Sequence, residues 1–372
     1  MTTLFESVGG SSRGSSLDNY EFTFEKYLQD AESIEPDVTQ PVKHSLVYPP
    51  SPDLLATNNK ANPSSDTQSL SESIACYENE NGRTYHSYHS GSYPYPNDPT
   101  ENERLDDQHT ILRKVLDGRN HLAPFSTSVD DPPAARVLDI GCGTGIWAIE
   151  MGDDYPSAQI VGVDLSPIQP GEVPPNVRFF VEDSDEDWFY TTPFSYIHTR
   201  MTLGCWSSPP QIIRKAFDNL LPGGYFEAQE VLCVPDCDDG TLDPQRSAWM
   251  RWVREVQAAS DEADRVLCVG PDLKRWMEEA GFVDVEDRVF KLPMNGWPQK
   301  GDLKHIGQLW QRNLLNGLSG FSLGLLSRVR GREREDIELQ LVDVRRELFD
   351  TSIHAYQKFY VVWGRKPGGE SG

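Results

Sequence analysis

Over the C-terminal two thirds of the chain, short apolar runs alternate with stretches whose apolar residues recur every three or four positions. That alternation predicts an α/β domain with a largely parallel sheet. After Asp130-Asp-Pro-Pro, Arg136-Val-Leu-Asp-Ile reads as a first strand, then comes a glycine loop and a helix through Trp147, Ile149 and Met151. Residues 159–164, 177–182 and 194–199 read as the next three strands, with a helix over 211–220. Pro222-Gly-Gly is expected to turn the chain into a fifth strand over 225–231. Residues 273–280 read as a helix closed by Gly281 in a left-handed C′ position. Residues 282–292 and 355–364 complete the set as strands six and seven.

Two stretches exceed this alternation. Residues 236–270 carry Trp249, Trp252, Val253 and Val256 at helical spacing, and 298–350 carry Leu309, Trp310, Leu314, Leu315, Leu339, Val342 and Leu348. Both are expected to be helical insertions covering a ligand crevice. Upstream, residues 1–75 are rich in Ser, Asn, Asp, Pro and Thr and poor in apolar side chains, the composition of a disordered tail. From 76 to 133 the composition shifts. Tyr77, Tyr85, Tyr88, Tyr93 and Tyr95 crowd together with Arg83, His86 and His89, before a helical pattern over 101–116. This segment is expected to pack on, or lid, the domain that runs over 134–367.

Composition narrows the function. The chain of 372 residues has 34 Lys+Arg against 58 Asp+Glu, a formal charge of −24, which disfavours direct nucleic-acid binding. Its densest basic stretch, Arg328-Val-Arg-Gly-Arg-Glu-Arg, is soon interrupted by acidic residues and reads as a solvated helix start. No apolar run approaches the ~20 residues of a membrane span, and the N-terminus lacks the pattern of a secretory signal. The expected location is therefore the cytoplasm, the nucleus or both. Six scattered cysteines form no CxxC pair, and no histidine lies near Cys233 and Cys237 to complete a metal site; none is expected.

The informative chemistry is Val137-Leu-Asp-Ile-Gly-Cys-Gly-Thr-Gly. A dinucleotide loop needs G-x-G-x-x-G, but here the third glycine comes one residue early and Ile146 stands in the sixth position. That spacing argues against a nicotinamide dehydrogenase. Asp139, at the strand end, would repel a pyrophosphate but suits a ligand with an ammonium group. S-adenosylmethionine has an ammonium, a sulfonium and no phosphate. Asp164 ends the second strand roughly 20 residues on, where a carboxylate can hold two ribose hydroxyls. Glu182, Asp183 and Ser184 follow the third strand, where an acidic side chain can accept from the adenine amino group. The expected cofactor set is thus Asp139, Gly141, Cys142, Gly143, Gly145, Asp164, Leu165, Glu182, Asp183 and Ser184, with Thr199 and Arg200 as pocket walls. Arg83 and Tyr85 are expected to fold back over the cofactor, Arg83 near its carboxylate. His198, Glu230 and Glu227, on strands four and five, are the candidates for a general base.

Over residues 76–367 the sequence resembles the fungal LaeA-like methyltransferases of secondary metabolism. The resemblance rests on Tyr77-Glu-Asn-Glu-Asn-Gly-Arg-Thr-Tyr-His, Tyr93-Pro-Tyr-Pro-Asn-Asp, Glu103-Arg-Leu-Asp-Asp-Gln-His and Leu116-Asp-Gly-Arg-Asn-His-Leu-Ala-Pro. Gly141-Cys-Gly-Thr-Gly-Ile-Trp, Asp164-Leu-Ser-Pro-Ile-Gln-Pro, Pro174-Pro-Asn-Val-Arg-Phe and Asp187-Trp188 extend it. It implies a class I, Rossmann-like sheet of seven mostly parallel strands with the last antiparallel, and S-adenosylmethionine as cofactor. The sequence departs from the family at Ser195, where members often carry aspartate, and over Met201-Thr-Leu-Gly-Cys-Trp-Ser-Ser, a stretch that shapes the substrate pocket. Two functions are therefore carried forward. One is methyl transfer to oxygen or nitrogen of a small metabolite. The other is a regulatory role through protein partners, which the resemblance suggests are of the velvet type.

Overall fold

Seven strands form one twisted sheet, and their chain order explains why a ligand site opens along one edge. A computed structural model describes residues 77–126 and 135–368; the tail expected over 1–75 lies outside them. The sheet strands are β3 (Arg136–Ile140), β4 (Gln159–Asp164), β5 (Val177–Val181), β6 (Phe194–Arg200), β7 (Leu220–Val231), β8 (Val283–Pro293) and β9 (Tyr356–Arg365). They lie in the order β5-β4-β3-β6-β7-β9-β8. β3 to β7 run parallel, and β9 inserts antiparallel to both β7 and β8. The order reverses between β3 and β6, so the strand ends splay there into a crevice, as open α/β sheets require.

The central strand shows why the apolar pattern works. Val137, Leu138 and Ile140 of β3 are fully buried, because a parallel strand covered on both faces has no polar side. On one face, Leu138, Ile140, Ile197 and Phe226 pack on Ile212, Ile213 and Ala216 of α3 (Pro209–Asn219) and Met277 of α5 (Leu273–Ala280). Gly281 closes α5 at φ +102°, the expected left-handed cap. Pro222-Gly-Gly lies inside β7 rather than before it, since β7 already pairs with β6 at Leu220.

The opposite end is built by α1 (Pro99–Val115), α2 (Ile146–Asp154), α4 (Ala248–Glu262), α6 (Gly301–Arg330) and α7 (Arg334–Phe349). α6 packs against α1, α4, α7 and β8. Although α6 is 30 residues long, among the described residues no helix is long and apolar enough to cross a membrane. The basic stretch at Arg328 closes α6 instead of starting a helix; Gly331 turns left-handed at φ +61° and α7 follows.

Before α1, β1 (Glu78–Glu80) and β2 (Arg83–Tyr85) form a hairpin through Asn81 and Gly82, both at positive φ. The hairpin is clamped to the α6–α7 junction. Arg328 lies 4.6 Å from the Tyr85 ring centroid and pairs with Glu80 at 2.9 Å, and Arg334 donates to the Asn81 carbonyl. From there residues 86–97 run across the crevice. His89 meets Asp183 at 2.7 Å, and the Asn97 amide reaches Ser166. α6 carries Gly324 where this strap passes, because a Cβ there would lie 2.2 Å from the Pro94 carbonyl oxygen.

Candidate cofactor and acceptor site

A cleft of about 1000 Å³ opens at the C-terminal ends of β3, β4, β5 and β6. The loop after β3 reverses direction through Gly141 and Gly143, at φ +68° and +54°, and both line the cleft with Cys142. Gly145 serves packing instead. It sits at φ +81°, its Cβ would fall 2.4 Å from the Phe179 ring, and it does not line the cleft.

Three acidic groups face this cleft from successive strand ends. Asp139 is buried and burial pushes its carboxyl up to about 8. Its partner is His198 Nδ1 at 2.8 Å, and the imidazole stacks on Trp147 with centroids 3.8 Å apart. Burial and the Arg200 charge hold His198 well below the usual histidine range, so the ring that meets Asp139 through Nδ1 is neutral. Its Nε2 is buried without a hydrogen-bond partner. Asp164 accepts from Gly143 N at 2.8 Å and Ser166 N at 2.9 Å, one on each oxygen, and burial raises it to about 6. Glu182 accepts from the Tyr190 hydroxyl through Oε2, while Oε1 is buried and unpartnered. Leu165, Asp183 and Ser184 also line the cleft. Asp183 is held by His89 and the Asp185 amide, and Ser184 accepts from Trp206.

The other expected residues are placed elsewhere. Arg83 is bound by Asp98, with Glu101 4.0 Å away, and Tyr85 is fully buried under Arg328; neither lines the cleft. The strap does cross the site, but through Tyr93. Thr199 alternates with the cleft-facing His198 and Arg200 along β6, so its side chain points to the other face of the sheet. Glu227 accepts from the Leu122 and Ala123 amides and from Gln229, while Glu230 accepts from the Thr202 amide and hydroxyl. Neither carboxylate lines the cleft or the cavity beside it, so both act as anchors for loops, not as bases. Glu227→Gln places a donor against backbone N–H groups. It is expected to cost about 2 kcal/mol in chemical denaturation while the folded fraction keeps its cofactor affinity. An equal loss of both would return Glu227 to the site.

A second cavity of about 750 Å³ adjoins the first. Trp249, Trp252 and Val256 of α4 and Trp310, Leu314 and Phe321 of α6 form much of its wall. Tyr93, Leu105, Gln108 and Met201 line both cavities and form the seam between them. Periodicity alone places Leu105 and Gln108 on a helix without marking them as site residues; the motif around Gln108-His109 is the signal that points to them. Among the described residues no cluster of His, Cys, Asp or Glu is arranged to hold a metal ion.

The residues fit S-adenosylmethionine. A close glycine cradle adjoins Asp164, Glu182 offers an unsatisfied acceptor, and Asp139, raised by burial against the pull of Arg200, would be favoured as a carboxylate by a ligand ammonium. This sheet order and this set of strand-end groups define a class I S-adenosylmethionine-dependent methyltransferase. The sequence of a methyltransferase domain family matches residues 108–287. Methyltransferase pytC of Aspergillus terreus is 41% identical over 310 residues, 82% of this chain and 94% of that one. Secondary metabolism regulator LAE1 of Cochliobolus heterostrophus is 36% identical over 77% of this chain and 94% of its own. A protein of Emericella nidulans named protein-methionine methyltransferase laeA is 34% identical over 78% of this chain and 77% of its own. The chain belongs to this family of fungal methyltransferases and LaeA-type secondary-metabolism regulators.

Proposed function

We propose that the chain methylates a small, largely apolar metabolite at oxygen or nitrogen. The observation that carries this reading is the aromatic second cavity, which meets the cofactor cleft at a seam of four residues. S-adenosylmethionine supplies, when bound, an electrophilic methyl group on sulfonium. The protein's own part is to hold, orient and keep dry. Asp164 takes the ribose hydroxyls, Glu182 Oε1 the adenine amino group and Asp139 the ammonium, with the Gly141–Gly143 backbone against the chain between them. The neutral His198 keeps Asp139 aimed. The apolar walls exclude water from the seam.

A second reading, transfer to a methionine sulfur, is favoured by Met201. This residue lines both cavities from a left-handed backbone at φ +55°, and one relative carries that activity in its name. A thioether needs no base. The regulatory role through partner proteins is compatible with either acceptor, and the family's regulators are its support.

Full-length chain incubated with methyl-labelled S-adenosylmethionine and an organic extract of a fungal culture separates the acceptors. Label in an extractable product, absent with Asp164→Ala, is the expected result. Label on the Met201 peptide instead would favour the second reading, and label in neither fraction from a cofactor-binding sample would overturn both.

A further inference from the structure

The seam between the two cavities has an unusual polarity for a methyl-transfer point: it offers hydrogen-bond donors and no base. Of its four residues, Leu105 and Met201 are apolar. Gln108 is fixed in orientation by Arg104, whose Nη1 donates to Gln108 Oε1 at 2.7 Å and to Asn313 Oδ1 at 3.1 Å. Arg104 is itself locked by Glu101 Oε1 at 2.6 Å and 3.0 Å. With its oxygen committed, Gln108 has only its Nε2–H groups to present, and among the described residues these have no partner. The Tyr93 hydroxyl likewise has none, and burial raises it well above its ordinary range, so it stays a neutral donor.

No carboxylate or imidazole lines both cavities. Glu101 lines only the second, outside the seam; Arg104 holds its Oε1, and its buried Oε2 has no hydrogen bond and lies 4.0 Å from Arg83. His109 lines only the first, with both nitrogens engaged by Arg200 and Glu150. His198, also confined to the first, meets Asp139 through Nδ1 and keeps its buried Nε2 unpartnered, outside the seam. Beyond the seam the wall is mostly apolar, and its Arg104, Asn313 and Gln357 are engaged with one another or with Trp310 and the backbone. The indole N–H groups of Trp249, Trp252 and Trp310 donate to the Cys233 carbonyl, Ser322 and Gln357, so the rings offer only their faces.

A nucleophile that keeps a proton at neutral pH would find nothing at the seam to remove it, whereas one already ionised would find two donors. We propose that the acceptor is a ring-bearing apolar acid already ionised at neutral pH, a carboxylic acid, an acidic enol or an electron-poor phenol, whose oxyanion is held by Gln108 Nε2 and the Tyr93 hydroxyl. The acid's proton leaves to solvent before binding. The oxyanion's lone pair then forms the C–O bond as the methyl's C–S bond breaks, its electron pair remaining on a neutral thioether. This inference rests on the second cavity being the acceptor site, and it narrows the oxygen-or-nitrogen alternative to oxygen.

The test is calorimetric titration of the full chain, saturated with S-adenosylhomocysteine, with 2-naphthoate, 2-naphthylamine and naphthalene, three probes that share one ring system. Naphthoate is expected to bind about tenfold or more tightly than the other two, the margin of a charge-assisted hydrogen bond. Gln108→Glu, which replaces the donor by a carboxylate, should reverse the order in favour of the amine. Tyr93→Phe should narrow the margin by about threefold. S-adenosylhomocysteine affinity, measured on each variant, reports that the fold is intact. Equal binding of all three probes, or an unchanged order in Gln108→Glu, would leave the acceptor cavity standing and overturn the oxyanion site. Binding of none, with the homocysteine product still bound, would overturn the cavity reading and this inference together.

Discussion

Replacing Asp164 by alanine is expected to weaken S-adenosylmethionine binding about a hundredfold, and the reason is that this carboxylate has two tasks. It accepts the Gly143 amide, which holds the glycine loop in its left-handed path, and the Ser166 amide, which starts the next loop. Each oxygen keeps a lone pair for a ribose hydroxyl. Removing the group would therefore lose the two charge-assisted bonds proposed to the ribose and loosen the backbone of the glycine loop. Asp164→Asn should be nearly as damaging, because its amide sets a donor against one of the two backbone N–H groups. Glu182→Gln, at the proposed adenine end, should cost about tenfold. Calorimetry with S-adenosylhomocysteine ranks the three. An Asp164→Ala affinity within a few-fold of the parent would remove the ribose from this strand end.

How much of this was legible beforehand depended on whether a residue's role is local. The strands of the sheet are announced by short apolar runs, and β3 is the clearest because both its faces are buried. Asp139, Gly141, Gly143, Asp164 and Glu182 follow from position alone, since a strand end fixes what the next two residues face. Side-chain partners made across long sequence separations do not follow. Glu227 and Glu230 sit on the strand beside the site, yet amides from residues 122, 123 and 202 consume them. Arg83 looks like a carboxylate binder, and it is one, but its carboxylate is Asp98, 15 residues away. The hairpin escapes the hydrophobic pattern because its strands are three polar-rich residues each, although Asn81-Gly82 carries the turn signal. The seam was hidden for the same reason: Tyr93, Gln108 and Met201 come from a strap, a helix and a strand end, and only the fold brings them together.

The stability of the free chain and its affinity for the cofactor should respond to pH with opposite slopes between about pH 7 and about pH 8. Burial raises Asp139 to about 8 and Glu230 to about 7. A carboxyl whose folded pKa is raised contributes its full stability below the ordinary carboxylate range and loses it as pH climbs through the folded value. The ligand-free melting temperature should therefore fall over this interval, which lies above the titration of unfolded histidine and leaves His198 neutral throughout. Cofactor binding is expected to offset the Asp139 part of this decline. An ammonium placed beside Asp139 would favour the carboxylate, lower that pKa in the complex and make binding release a proton. Affinity should then rise with pH, by up to about tenfold per unit, until Asp139 is ionised without help or the ligand's amino group begins to lose its own proton. Thermal melts with and without S-adenosylhomocysteine show both effects at once: the free midpoint declines while the ligand-induced shift widens. Asp139→Asn should flatten the widening and leave the part of the decline that Glu230 supplies. A ligand-induced shift that stays level in the parent chain would mean that Asp139 does not meet the ammonium, and the cofactor's amino acid end would have to be sought elsewhere in the cleft.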